Sequence, residues 1–198
     1  MESRDLAIYM MGLFLIVVIA ARVAVQLFLV DDSGIRSGTR LKTRKEMLIS
    51  FSMFGVLGVQ AVLTWLYSAS HISRQIDFGT TGILLGLALC IGGIAFASYS
   101  QHGMGNEWRI GVDPDEETEL ITAGVYARIR NPIYTGCMIH GAGVVLLAPH
   151  VLVFVTGFIG FFAIRAYVRE IEEPYLIKVH SVEYREYMEQ TGAFFPRF

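Results

Sequence analysis

Charge is scarce in this sequence. Only 17% of its 198 residues are Asp, Glu, Lys or Arg, against 54% that are hydrophobic, and the formal net charge is −2. An ordinary soluble domain carries about 25% charged residues, so the deficit argues against one. The lack of a basic excess removes the electrostatic footprint of a nucleic-acid binder. Cysteine is nearly missing as well. Cys90 and Cys137 are the two present, and both lie inside apolar runs. No disulfide framework is implied, and packing explains each better than reactivity does. There is no P-loop, no GxGxxG and no GxSxG, so the common soluble phosphate, dinucleotide and acyl-transfer folds lack support. His71, His102, His140, His150 and His180 are scattered without metal-ligand spacing, and no metal site is expected. His140 falls inside an apolar run, where a hydrogen bond to a neighbouring helix is its expected role. Internal repeats and low-complexity segments are absent.

What the chain does have is long apolar runs. Five can be drawn: Leu6–Val30, Met47–Ala69, Gly79–Ser98, Pro132–Ala148 and Val151–Ala166. About 20 helical residues cross the hydrocarbon core of a bilayer. The first three runs meet that length. The first is too long for a signal peptide, and no small-residue cleavage site follows it, so it reads as a retained span. The last two are shorter and are separated only by Pro149 and His150. They fit a helical hairpin that spans the membrane or nearly does, the alternative being a re-entrant pair. The expected fold is therefore all-α: a polytopic membrane protein with about five transmembrane helices.

Basic residues orient it. Arg36, Arg40, Lys42, Arg44 and Lys45 follow the first run. Arg109, Arg128 and Arg130 follow the third, and Arg169, Lys178, Arg185 and Arg197 follow the fifth. The opposite side holds Arg4, Arg74 and little else. The positive-inside bias then puts the amino terminus outside and these three regions in the cytoplasm. Residues 1–98 hold spans and one basic loop. Residues 99–198 hold nearly every candidate for chemistry. In the third run, Gly82, Gly86, Gly92 and Gly93 suit close helix packing. The segment from Tyr99 to Ala127 is long and polar, with an acidic stretch from Asp113 to Glu119 that reads as a solvated face. The tail from Arg169 to Gln190 reads as an amphipathic helix ended by Gly192 and Pro196.

Two polar clusters flank the hairpin. Arg130-Asn131-Pro132 and Tyr134 stand at the start of the fourth run, while Arg169, Glu172 and Glu173 stand just past the fifth. A short turn makes the two runs antiparallel, which brings both clusters to one membrane face. Charge gathered at a lipid boundary is expensive and points to a reactive or binding site. Each cluster also has a plain structural reading. Proline suits the first helical turn, with Asn131 at or near the N-cap. Helical spacing sets Arg169 on one face with Glu172 and Glu173 as an ordinary ion pair.

Taken in order, Leu120-Ile-Thr-Ala-Gly-Val-Tyr126, Arg130-Asn-Pro-Ile-Tyr134, Arg169 with Glu172 and Glu173, Glu183-Tyr-Arg-Glu-Tyr187 and Phe195-Pro196 resemble the isoprenylcysteine carboxyl methyltransferase family of integral membrane enzymes. The phospholipid N-methyltransferases and membrane sterol reductases are its distant relatives. The likeness covers roughly Tyr99 to Phe198. It implies S-adenosylmethionine as methyl donor. It implies a cofactor site at Leu120, Thr122, Gly124, Tyr126, Arg130, Asn131, Pro132, Tyr134 and Glu173, with Arg169 and Glu172 facing the acceptor as catalytic residues. The acceptor would be a lipophilic small molecule or a prenylated cysteine, reached from membrane lipid. The family usually has Arg-His-Pro where this chain has Arg130-Asn131-Pro132, and Asn cannot act as a base near neutral pH. Two other readings stay open: a sterol-type reductase using NADPH, and a non-enzymatic membrane protein on the same scaffold. The residues do not name the acceptor, its methylated atom or the oligomeric state.

Overall fold

The computed structural model describes residues 5–31, 33–35, 44–73, 76–111 and 119–197. Arg36, Arg40 and Lys42 of the first basic loop, Arg4 and Arg74 of the opposite side, and Asp113 to Thr118 of the acidic stretch lie outside the described residues.

Helices dominate. α1 (Asp5–Phe14) runs through a π-helical stretch, Leu15–Ala20, into α2 (Ala21–Val30). Then come α3 (Arg44–Ser68), α4 (Gly79–Met104), α5 (Pro132–Leu147), α6 (Val151–Tyr167) and α7 (Glu173–Gln190). Among the described residues, four helical runs are long and apolar enough to cross a membrane, and α5 is a shorter apolar helix. The chain is an integral membrane protein of the expected all-α class. Among the described residues the only β-pairings are two isolated bridges, Ile35 with Ile110 and Ile129 with Gly192. The run from Val151 to Gln190 is helical but kinks at Ser181, where φ is +49°, and its membrane part is α6. From Val168 onward the sequence turns polar.

Two pairs of helices organise the bundle: α4 packs on α5, and α3 on α6. The first pair explains the glycines. A Cβ on Gly93 would meet the His140 and Gly136 backbone at 2.5 and 2.6 Å, and one on Gly143 would meet the Gly86 carbonyl at 2.6 Å. Lipid gives no hydrophobic drive between helices, so such backbone contact supplies the packing instead. Gly86 and Gly93 thus serve packing, as their spacing suggests, whereas Gly92 faces open space. His140 also behaves as expected, with Nδ1 3.4 Å from the Cys90 carbonyl across the pair. The turn between α5 and α6 is as tight as the sequence indicates, and the His150 ring accepts the Leu152 amide to cap α6.

The π stretch has a visible use. A wide turn misaligns the helical ladder, and a bared carbonyl is costly in lipid. Gln101 of α4 donates to the Val18 carbonyl at 2.8 Å. One turn on, Arg22 donates to the Gly105 carbonyl and Gln26 to the Asn106 carbonyl at 2.7 Å. The Arg22 guanidinium also stacks over Trp108, 5.1 Å from its centroid. These pegs fix where the chain leaves α4, and that exit is one wall of the site.

Candidate functional site

The start of α5 is set by three local choices. Gly124 opens a short 3-10 turn, Gly124–Ala127, with φ +63°, a left-handed conformation that glycine adopts without a Cβ penalty. Asn131 occupies the N-cap position and Pro132 the first turn. The Asn131 side chain does not cap the helix, however. Its amide donates to the Ala193 carbonyl at 3.1 Å. The position is the one the sequence suggests, but the side chain works across space.

That bond belongs to a latch made by the carboxyl-terminal tail. Residues 191–194 lie beside residues 128–131, with Arg130 N bonded to the Gly192 carbonyl at 2.9 Å and Asn131 N to the Ala193 carbonyl at 3.1 Å. Thr135 donates to the Phe194 carbonyl at 2.8 Å. Arg130 stands at its centre. Its Nη1 bonds the Thr191 and Met188 carbonyls at 2.5 and 3.1 Å, and its Nη2 pairs with Glu173 Oε1 at 3.0 Å. Both side chains are largely withdrawn from solvent, at 9% and 14% exposure. A charge held so deeply is stable because each of the three guanidinium nitrogens has an acceptor.

The second carboxylate goes elsewhere. Tyr134 donates its hydroxyl to Glu172 Oε1 at 2.5 Å. Burial pushes the Glu172 carboxyl up from 4.5 to about 7; the Tyr134 hydrogen bond opposes the rise and neighbouring Glu173 adds to it. Around them, Tyr187 donates to the Tyr126 carbonyl at 2.7 Å and Tyr126 to the Ser100 carbonyl at 3.1 Å. Burial raises the Tyr126 and Tyr184 phenols, so they stay neutral.

These groups border a cavity of about 620 Å³. Its end at the membrane face is lined by Glu107, Arg109, Leu120, Tyr126, Arg130, Asn131, Tyr134, Glu172, Tyr184 and Tyr187. From there it continues between the helices, past Phe14, Val18, Met53, Leu57, Gln60, His140 and Val144. Both halves of the chain line it. Glu107 closes one edge: its carboxylate bonds Arg109 at 3.0 Å and accepts the Glu119 amide at 3.2 Å.

The residues singled out in the sequence distribute unevenly. Leu120, Tyr126, Arg130, Asn131, Pro132, Tyr134 and Glu172 line the cavity. Glu173 is beside it, tied to Arg130. Thr122 and Gly124 are exposed and outside the lining. So is Arg169, which does not share a surface with Glu172. The physical reason is a π-helical turn over Val168–Glu172, which breaks the regular helical spacing assumed for Arg169, Glu172 and Glu173. Glu170, next to Arg169, pairs instead with Lys45 of α3 at 2.6 Å, an exposed bridge that holds its carboxyl below the usual range.

Several residues in or behind the wall carry no mark in the sequence motifs: Trp108, Gln60 and Glu107 line the cavity, while Arg22 and Gln26 peg the α4 exit from outside the lining. Arg22, Gln26 and Gln60 did carry a signal, being polar residues inside apolar helices, which are functional or structural by default.

Residues 81–183 match the phospholipid methyltransferase family. That is more than half of the 198 residues, and the chain belongs to this family of membrane methyltransferases, which includes the isoprenylcysteine carboxyl methyltransferases. No curated protein matches the chain.

Proposed function

We propose that this member of the phospholipid methyltransferase family moves a methyl group from S-adenosylmethionine to a lipophilic acceptor, a prenylcysteine carboxylate or similar small molecule, at the cytoplasmic face of the membrane. The observation that carries the reading is a cavity that is polar where it meets the membrane face and apolar between the helices. A volume of about 620 Å³ is in the range of small-molecule sites. Its polar end has what the donor needs: aromatic hydroxyl groups, backbone near Leu120, and the Glu172 carboxyl toward which a sulfonium is drawn. Bound there, S-adenosylmethionine would supply an electrophilic methyl group.

The remaining work falls to the chain. A carboxylate acceptor is ionised at neutral pH, so no general base is required and Asn131 in place of His costs no proton transfer. Alignment and exclusion of water are the tasks. Tyr134 holds Glu172 in one orientation, and Arg130 with Glu173 holds the tail that closes the site. Leu120, Thr122, Gly124 and Tyr126 form the donor-side segment of this proposal. Arg169 acts from the surface, as a positive charge at the membrane edge.

The test is direct binding of labelled S-adenosylmethionine and, separately, NADPH to the purified protein, followed by methyl transfer to a prenylcysteine analogue and to a panel of lipophilic acids and thiols. Saturable binding of S-adenosylmethionine alone is expected. Binding of NADPH instead would make the chain a reductase, and binding of neither would remove the enzyme reading.

A further inference from the structure

The exit from α4 carries a carboxylate that is held on one side and open on the other. The 3-10 turn Gly105–Glu107 is fixed from α2, where Arg22 donates to the Gly105 carbonyl and Gln26 to the Asn106 carbonyl at 2.7 Å. Just beyond it, the Ile110 amide donates to the Gly34 carbonyl at 2.7 Å. Glu107 therefore stands on backbone that is braced on both sides. Its Oε2 takes two donors, Arg109 Nη2 at 3.0 Å and the Glu119 amide at 3.2 Å. Among the described residues, no donor reaches Oε1. The Glu107 side chain keeps 28% of its surface, and it lines the polar end of the cavity. An ion pair between near neighbours accounts for Oε2. It leaves a second oxygen at the cavity wall with its lone pairs to fill.

S-adenosylmethionine has two positive centres. The reading above gives the sulfonium to Glu172, and the α-ammonium of the amino-acid end needs a carboxylate of its own. Among the described residues, three carboxylates line the cavity: Glu107, Glu119 and Glu172. Glu172 is engaged by Tyr134 and by the sulfonium. Glu119 is exposed, where water competes with any ligand. Glu107 remains, and its bond to the Glu119 amide sets it beside Leu120, the first residue of the donor-side segment. We infer that Glu107 Oε1 receives the α-ammonium of the donor, while Arg109 and the Glu119 amide hold Oε2 in place. An ammonium has three donors and no acceptor, so it matches a bare carboxylate oxygen. The contact is charge-assisted, and because the braced turn is already ordered, little is lost in making it. This deepens the methyltransferase reading and rests on it. It adds a donor-binding residue that lies outside the sequence motifs and that selects the amino-acid end of the donor.

The experiment compares calorimetric binding of S-adenosylhomocysteine and of its des-amino counterpart, in which hydrogen replaces the α-amino group, to the full-length protein in nanodiscs. Both ligands lack the sulfonium, so the pull of Glu172 does not enter. Both keep the adenosine and the carboxylate, so they differ by the ammonium alone. The parent should bind S-adenosylhomocysteine at least about tenfold more tightly, as expected for a hydrogen bond between charged groups. Glu107→Gln keeps an oxygen for Arg109 and the Glu119 amide but removes the charge. Its preference should fall to about threefold or less, with affinity for the des-amino ligand unchanged. That unchanged affinity reports an intact fold. Should Glu107→Gln fail to fold, Glu107→Asp keeps the charge and draws it back by one methylene, and its preference should fall by at least about threefold. Equal binding of the two ligands by the parent, or a preference that survives the substitution, would overturn the inference. S-adenosylmethionine binding by the parent, measured alongside, would in that case leave the methyltransferase reading standing. A parent that binds none of the three ligands would remove that reading, and the role of Glu107 with it.

Discussion

At the membrane face, Arg130 spends its guanidinium on Glu173 and on the Met188 and Thr191 carbonyls, while between the helices Gln60 and His140 each keep a nitrogen with no partner. The two ends of one cavity are thus finished to different degrees. At the polar end one group holds several others: removing Arg130 strands Glu173 and the Met188 and Thr191 carbonyls. The apolar limb is held by backbone contact between glycines of α4 and α5, and two of its buried nitrogens have no hydrogen-bond partner. Such a contrast suits a site that must hold one constant donor and accept a guest from lipid. A pre-organised end supplies alignment, and an apolar one admits a greasy guest.

The sharpest way to break the contrast is to unfasten the polar end. Arg130→Met removes the charge from Glu173 and the donors from the tail carbonyls. Breaking one side of such a withdrawn pair costs about 3–5 kcal/mol. The expected result is a large fall in thermal stability in detergent and loss of S-adenosylmethionine binding together. A variant that melts with the parent would show that the latch is decoration and that the polar end is no better determined than the limb.

How much of this arrangement is legible in the residues depends on which force decides it. The meeting of Arg130 and Tyr134 with Glu172 and Glu173 follows from a short turn between two apolar runs, and only topology is needed to see it. The partner assignment, Arg130 to Glu173 and Tyr134 to Glu172, does not follow. It depends on the π turn at Val168–Glu172, which no local sequence rule marks. The Gly86 and Gly93 contacts are legible because only a missing Cβ permits them. The tail latch is not, since backbone carbonyls of residues 191–194 make it and any sequence offers carbonyls. Asn131 marks the boundary. Its place before Pro132 reads as a cap, yet tertiary structure hands its amide to Ala193.

A pH titration sharpens the comparison within the polar end. Glu172 sits at 4.5 in ordinary surroundings and about 7 here, so the fold prefers its protonated form. The sign follows. This contribution to stability is complete below about 4.5, shrinks as pH rises, and is gone once pH passes about 7. A sulfonium prefers the ionised form, so donor affinity should rise by about tenfold from roughly pH 6 to roughly pH 8, a gain near 1.4 kcal/mol. Glu172→Gln should flatten the profile. Tyr134→Phe removes the hydrogen bond that opposes the shift, so the midpoint should move to higher pH. Binding measured across this range by calorimetry gives the answer, and a flat profile in the parent would place the sulfonium away from Glu172.

The smallest effect should come from Arg169, three residues before Glu172. Sequence spacing would have it grip an anionic acceptor with its planar fork, a contact that Lys cannot replace. Its side chain is exposed and outside the cavity, beside Glu170 and the Lys45 bridge. Surface charges of this kind contribute about 0–1 kcal/mol, and Lys keeps the charge. Arg169→Lys should therefore change turnover by less than about twofold and stability by less than about 0.5 kcal/mol. The measurement is methyl transfer with whichever acceptor the parent accepts, together with a melting curve. A tenfold loss of turnover with unchanged melting would mean that the acceptor's head rests on the outer rim, at Arg169. The border between fixed site and open limb would then have to be redrawn to include it.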